Sequence, residues 1–274
     1  MGDGSSRGPG PGTAAGRAAA GEAEVLAMLL AAGRGERLRP LTDHTPKPLV
    51  VVGGRPLIDY ALDCVANAGI RRVVINLHHL GDRIREHVGD GSRFGLQVDY
   101  SVEQVLQETG GGIRDARPLL EGCTFVTLNA DTIVDADLAG LVDAHRRRGA
   151  LATMLLRKDP RQREFGLIET EPDGRVGRFL GRPRPGVQEP LEPWMYTGVQ
   201  VLSPGIFAYL EHPGPFSITR VSYPAMLDAG ELVVGVPFEG AWITVGTPDE
   251  LAEAGRLLGP EGPKRFWTSG NNGR

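Results

Sequence analysis

Residues 30–48 concentrate the chemistry of this chain: Leu30-Ala31-Ala32-Gly33-Arg34-Gly35-Glu36-Arg37-Leu38-Arg39-Pro40-Leu41-Thr42, followed by Pro46-Lys47-Pro48. Small residues let a ligand approach the backbone, where successive N–H groups can aim at its oxygens. Clustered cations neutralise the charge that the N–H groups leave. Together these features suit a polyphosphate. The segment is not the dinucleotide fingerprint G-x-G-x-x-G, because Leu38 stands where the third glycine belongs. It is not a P-loop either, since no lysine follows either glycine at the required distance. A plain dinucleotide-dependent oxidoreductase is thereby set aside.

Two further constellations carry chemistry. Glu103 precedes Leu106-Gln107-Glu108-Thr109-Gly110-Gly111-Gly112, where glycines open a helix and combine close backbone approach with a positive helix end. Leu128-Asn129-Ala130-Asp131 ends an apolar strand, the place where open α/β sheets bind ligands. Asp135 and Asp137 have the better claim to capping the next helix. There is no Ser/His/Asp arrangement and no pair of carboxylates set for acid–base work. The six histidines show no metal spacing, and neither cysteine belongs to a zinc pattern. Arg34 and Arg39 read as surface cations.

The elements that must hold these residues follow from hydrophobic periodicity. Val25–Leu30 is a continuous apolar run ending in glycine, as expected of a buried parallel strand. Short strands are predicted at Leu49–Val52, Arg72–Leu77, Leu96–Val102, Thr124–Leu128 and Leu151–Leu156. Helical spacing runs from Pro56 to Gly69, around Ile84 and Val88, at Thr109–Ala116 and from Leu138 to His145. This alternation predicts an α/β fold, doubly wound and Rossmann-like, with a mostly parallel mixed sheet. Beyond Asp159 the pattern changes to a hairpin about Pro172-Asp173-Gly174, a strand at Trp194–Leu202, a helix at Pro204–Leu210 and a strand at Leu232–Val236. A last helix opens at Gly246-Thr247-Pro248. We read this half as a β lobe continuous with the first sheet. The expected organisation is a leader at 1–23 too poor in large apolar side chains to order itself, one domain at 24–258, and a tail at 259–274.

The chain has 274 residues, of which 41% are hydrophobic, so it can bury a sizeable core. A net charge of −4 argues against a general nucleic-acid or membrane surface. An acidic protein that binds polyanions must gather its cations locally, as residues 34–47 do. The apolar run Val25–Ala32 is too short to span a bilayer, and no basic segment marks it as a signal peptide. Cys64 and Cys123 read as reduced thiols of a cytosolic protein.

The block from Leu30 to Pro48 resembles the signature of the sugar-1-phosphate nucleotidyltransferases, and the likeness extends over roughly residues 25–257. The triple glycine is similar to N-acetylmuramate 1-phosphate uridylyltransferases. The context of Glu103 is shared with mannose-1-phosphate guanylyltransferases. Phe165-Gly166 and Tyr196-Thr197-Gly198 resemble the family's sugar-pocket segments. The resemblance implies transfer of a nucleotidyl group from a nucleoside triphosphate, UTP or GTP, to a sugar 1-phosphate, with release of pyrophosphate. It implies Mg2+ as cofactor and a monomer or homodimer with neither nucleic acid nor membrane as partner. Arg37 is thereby placed on the β/γ-phosphates and Lys47 on the reacting phosphates. Ala31, Ala32, Gly33, Gly35, Glu103, Gly110 and Gly111 fall to the nucleotide, with Glu103 at the base edge as acceptor for the imino N–H of guanine or uracil. Asn129, Gly166, Arg182 and Thr197 fall to the sugar phosphate, and Asp131 to the metal. Two departures stand out. Thr244 occupies the place of the family's second metal aspartate, and Gly181-Arg182-Pro183 replaces the common Glu-Lys-Pro. Thr244 supports a rival reading, a non-catalytic nucleotide-sugar-binding regulatory subunit, against which Arg37, Lys47 and Asp131 stand.

Overall fold

The apolar run at the start of the domain is unbroken because both faces of its strand are covered. In the computed structural model, which describes residues 24–162 and 166–259, Leu26 and Met28 of this strand face one core, while Ala27 and Leu29 face the other. All four are fully buried. Each large apolar side chain so placed contributes about 1.5–3 kcal/mol.

The strands in chain order are β1 (Val25–Leu30), β2 (Val51–Val52), β3 (Arg55–Pro56), β4 (Arg72–Leu77), β5 (Gln97–Val102), β6 (Thr124–Asn129) and β7 (Thr132–Val134). They continue with β8 (Ala152–Arg157), β9 (Leu167–Thr170), β10 (Val176–Phe179), β11 (Arg182–Pro183), β12 (Glu192–Leu202), β13 (Val233–Pro237) and β14 (Trp242–Thr244). The helices are α1 (Leu41–His44), α2 (Leu57–Asn67), α3 (Gly81–Val88), α4 (Glu108–Asp115), α5 (Arg117–Leu120), α6 (Leu138–Arg148), α7 (Ser222–Asp228) and α8 (Pro248–Leu258).

Ten strands form one mixed sheet in the order β11-β10-β9-β12-β6-β1-β4-β5, with β8 beside β12 and β13 beside β8. β5, β4, β1 and β6 are mutually parallel, as are β8 and β13. The expected parallel sheet is thus the amino-terminal half, with α2, α3 and α6 on one face and α4, α5 and α7 on the other. The second lobe joins it through β12, which runs antiparallel to β6, β8 and β9. The expected hairpin about Pro172-Asp173-Gly174 is β9–β10. The predicted strand at Leu49–Val52 is shorter, because Pro46 and Pro48 shape Lys47–Leu49 into a 3-10 turn. The helix expected at Pro204–Leu210 is also 3-10, over Pro204–Tyr209.

Helix starts are built as their residues suggest. Asp137 caps α6, its Oδ1 accepting from the Gly140 N–H at 2.8 Å. Thr247 caps α8 by accepting from the Glu250 N–H at 3.2 Å, and the Glu250 carboxylate accepts from the Gly246 N–H at 2.6 Å. Among the described residues no helix is long and apolar enough to cross a membrane. The expected leader, all but Gly259 of the expected tail, and Phe165 lie outside the described residues.

Candidate active site

The carboxyl ends of β1, β4 and β6 open onto two adjoining cavities of about 350 and 280 Å³. They share Leu30, Thr109, Asn129, Asp131 and Ser217 as walls. The larger also meets Ala32, Gly33, Asn76, Leu106 and Glu108. The smaller meets Arg37, Lys47, Thr132, Tyr196, Thr197, Gly198, Gln200, Trp242 and Thr244.

Residues 31–35 leave β1 and turn around the mouth of these cavities. The Ala31 N–H donates to Asn76 Oδ1 at 2.7 Å, so this amide is held within the protein and not offered to solvent. Gly33 is exposed, with open space where a Cβ would stand. Gly35 has φ 66°, and a Cβ there would lie 2.9 Å from the Thr42 methyl and 3.1 Å from Lys47 Cβ. Only glycine lets the turn close over Thr42, whose hydroxyl donates to Gly35 O at 2.8 Å. Arg37 is exposed at the rim and makes no ion pair or hydrogen bond among the described residues. A Cβ on Gly246 would lie 2.7 Å from its guanidinium, so that glycine leaves the arginine room. Arg34 and Arg39 are exposed, and Arg39 pairs with Asp43 at 3.2 Å.

Lys47 is only 8% exposed, and its Nζ donates to Asp131 Oδ2. Asp131 Oδ1 accepts from the Thr132 hydroxyl at 3.2 Å. β14 pairs with β7 so that Thr244 is the register partner of Thr132, and both line the smaller cavity together with Asp131. The donor set at this point is one carboxylate and nearby hydroxyls. That fits a hard cation which brings phosphate oxygens with it, since magnesium is commonly bound through one or two carboxylates plus substrate phosphates. It does not amount to a cage: among the described residues no group of three or more His, Cys, Asp or Glu could hold a metal.

The nucleobase side differs from expectation in geometry. Glu103 is 4% exposed, with Oε1 accepting from Asn76 Nδ2 at 2.7 Å and Oε2 accepting from the Gln107 N–H at 2.8 Å. Burial pushes its carboxyl above the usual range, against those two hydrogen bonds. Both oxygens serve the protein, and Glu103 does not line either cavity. Gly110 and Gly111 are buried, and both amides donate to Phe216 O, at 2.9 and 3.3 Å. A Cβ at Gly110 would lie 2.3 Å from the Phe216 ring. These glycines seat the loop against residues 216–218, and it is Leu106, Glu108 and Thr109 that face the cavity. Glu108 does so with φ 58°, a left-handed conformation rarely held by a non-glycine residue.

On the sugar side, Asn129 stands at the end of β6 between the two cavities. Gly198, at φ 87°, makes space for it, since a Cβ there would lie 2.6 Å from its Nδ2. Thr197 borders the cavity, but its hydroxyl donates to Leu155 O at 2.8 Å. Trp242 Nε1 donates to Thr197 O at 2.8 Å, and the Arg157 and Arg161 guanidinium groups stand 5.7 and 5.6 Å from its ring centre. Gly166 is half-buried, with φ 116°, and outside both linings. Arg182 is exposed on β11, pairs with Asp228, and is also outside both linings.

Sequence reasoning misses Asn76, Ser217 and Gln200, and it assigns no site role to Thr109 or Trp242. Asn76 has a usable signal: like Asn129 it is a polar residue near the end of an apolar parallel strand. Ser217 and Gln200 have none, for they reach the site through β12 and the segment before α7, whose places depend on pairing distant in sequence.

Comparison with known proteins matches the nucleotidyl transferase family model over residues 26–259. The chain is 36% identical to N-acetylmuramate alpha-1-phosphate uridylyltransferase of Neisseria meningitidis serogroup B, over 86% of this chain and 99% of that protein. It is 32% identical to mannose-1-phosphate guanylyltransferase of Mycobacterium tuberculosis, over 83% of this chain and 63% of that protein. The chain therefore spans under two thirds of that second relative's length. Its fold is similar to that of HddC from Yersinia pseudotuberculosis, solved with GMP-PN, with a TM-score of 0.69 at 20% identity over 85% of this chain and 99% of that one. The glycine-rich turn, the buried lysine and the strand-end aspartate thus sit inside the matched segment, and the chain belongs to the nucleotidyl transferase family.

Proposed function

We propose that this chain transfers a nucleotidyl group from UTP or GTP to a sugar 1-phosphate, giving a nucleoside-diphosphate sugar and pyrophosphate. The observation that carries the reading is the convergence of Arg37, Lys47, Asn129 and Asp131 on one cavity at the carboxyl ends of parallel strands. In this reaction the sugar phosphate oxygen attacks the α-phosphorus, and the bond to pyrophosphate breaks. The nucleophile is already an anion, so no general base is needed. The protein must hold two polyanions in line and stabilise the leaving charge.

Lys47 stands where it can accept a phosphate oxygen as partner in place of Asp131. At about 4 Å and an effective dielectric near 20, one such unit charge pair is worth roughly 4 kcal/mol. Arg37, at the rim and without a partner among the described residues, can receive the departing pyrophosphate. Asp131, released from Lys47, together with the Thr244 hydroxyl, would hold Mg2+. When bound, the ion neutralises phosphate charge. Asn129 lies between nucleotide and sugar subsites and can donate to either substrate. We place the protein in the cytosol, in keeping with its two unpaired cysteines.

A panel of nucleoside triphosphates against sugar 1-phosphates, scored by pyrophosphate release, tests this reading. Release with at least one pair is expected. Silence of the full panel at saturating magnesium, with nucleotide binding intact, would instead establish the regulatory reading.

A further inference from the structure

Three hydrogen bonds link the phosphate turn to the base-side loop through the protein interior. The Ala31 N–H donates to Asn76 Oδ1, Asn76 Nδ2 donates to Glu103 Oε1, and Glu103 Oε2 accepts from the Gln107 N–H. Asn76 is 2% exposed and Glu103 4%. Space around the link is closed: a Cβ at Gly112 would lie 2.7 Å from both Asn76 Nδ2 and Glu103 Oε1. Ala31 begins the turn after β1, and Gln107 sits between Leu106 and Glu108, which face the cavity.

The donor and acceptor count is strict. Both ends of the link are backbone donors, so each end must meet an acceptor. The two side chains must also bond to each other, which takes one donor. One amide and one carboxylate satisfy all three contacts. Two amides leave two donors face to face, wherever the amides are turned, and two ionised carboxylates leave two acceptors face to face. A buried polar group left without a partner is destabilising, so neither like pair can keep the link intact.

We propose that Glu103 is a positioning residue and not a reader of the base: through Asn76 it holds the phosphate turn and the base-side loop in one register, so that nucleotide affinity depends on the pair. The inference rests on the nucleotide site proposed above. It makes a prediction that base reading does not. The carboxylate and the amide can exchange places. In the double variant Asn76→Asp/Glu103→Gln, one oxygen of the introduced carboxylate accepts from the Ala31 N–H. The introduced amide donates its N–H to the other carboxylate oxygen, and its carbonyl oxygen accepts from the Gln107 N–H. All three contacts are kept.

Calorimetric titration of the full chain with UTP and with GTP decides the matter. Glu103→Gln is expected to weaken both nucleotides at least tenfold, by the same factor, and Asn76→Asp to do so at a pH where its two carboxyls are both ionised and share no proton, while the exchanged double variant recovers most of the loss. Thermal unfolding of each variant is followed alongside. If the single variants fail to fold, the double variant decides alone, and parent-like binding supports the link. A wild-type affinity ratio for UTP over GTP that changes in Glu103→Gln would overturn the proposal in favour of base reading. Unchanged affinity in the single variants, or a double variant that does not bind, would overturn the link while leaving the nucleotide site standing. Wild-type chain that binds neither nucleotide would remove both.

Discussion

Lys47→Ala is the most direct test of the phosphate-handling centre. The side chain is almost wholly buried between two prolines, and its one charged partner is Asp131 among the described residues. A phosphate oxygen that takes over this ammonium gains roughly 4 kcal/mol of Coulomb energy at about 4 Å and an effective dielectric near 20. Part of that is lost, because Lys47 must first leave Asp131. A net loss of about 2.7 kcal/mol on removing the lysine corresponds to a hundredfold fall in rate. We therefore expect kcat/KM for pyrophosphate release to drop by roughly a hundredfold or more. The change should act through the site and not the fold, so the far-UV circular dichroism spectrum should match that of the parent. A second readout follows from the pairing itself. With no ammonium on Asp131, magnesium should bind the nucleotide-free variant more tightly than the parent, measured by calorimetry. Lys47→Arg should not restore the rate, since a planar fork differs in shape and reach from a compact ammonium. An alanine variant with near-normal pyrophosphate release would refute the assignment of Lys47, and with it the use made of its pair with Asp131.

The other predictions concern the metal, the missing ligand and a buried histidine. Asp131→Asn keeps shape and removes charge, so activity should collapse and the magnesium dependence weaken; an unchanged magnesium titration would mean that the carboxylate only anchors Lys47. Thr244→Asp adds a second carboxylate to the wall of the cavity that Asp131 lines, and should lower the magnesium concentration for half-maximal activity about tenfold; no shift would remove Thr244 from the metal site. His145 is buried between the Thr153 and Ser203 hydroxyls at 2.9 Å each, and burial pushes its imidazole down to about 4. The unfolded chain takes up this proton near pH 6.5 and the folded chain only near 4. The stability is therefore full above pH 6.5 and declines as pH falls toward 4, by up to ~3 kcal/mol. Denaturant midpoints at about pH 7.5, above that window, and at about pH 4.5, within its lower part, compared between the parent and His145→Asn, should show a smaller pH slope in the variant; equal slopes would count against it.

The two glycine segments show where sequence reasoning reaches its limit. Gly33 and Gly35 read as a close-approach turn, and the open space at the first and the positive φ of the second suit that role. Gly110 and Gly111 carry the same composition cue, yet both amides donate to the Phe216 carbonyl, distant in sequence, and the Phe216 ring fills the space beside Gly110. A glycine states that something comes close; it does not state whether that is a ligand or another part of the chain. Arg182 is a comparable case: a family position suggests a phosphate contact, whereas the side chain lies exposed against Asp228.

Local signals determined what depends on neighbours along the chain. The unbroken apolar strands announce a sheet covered on both faces, Asp137 and Thr247 announce helix starts, and the run from Leu30 to Pro48 announces a phosphate site with its cations. The tertiary structure alone decided which distant groups meet. Lys47 and Asp131 pair although they stand 84 positions apart in the sequence, and Thr244 joins Asp131 in lining one cavity through the pairing of β14 with β7. Glu103 turns inward to Asn76 and Gln107 because a buried carboxylate must find donors wherever the folded chain places them. Its residue type was legible in the sequence; the direction it faces was not, because that is set by which backbone N–H groups burial leaves without another acceptor.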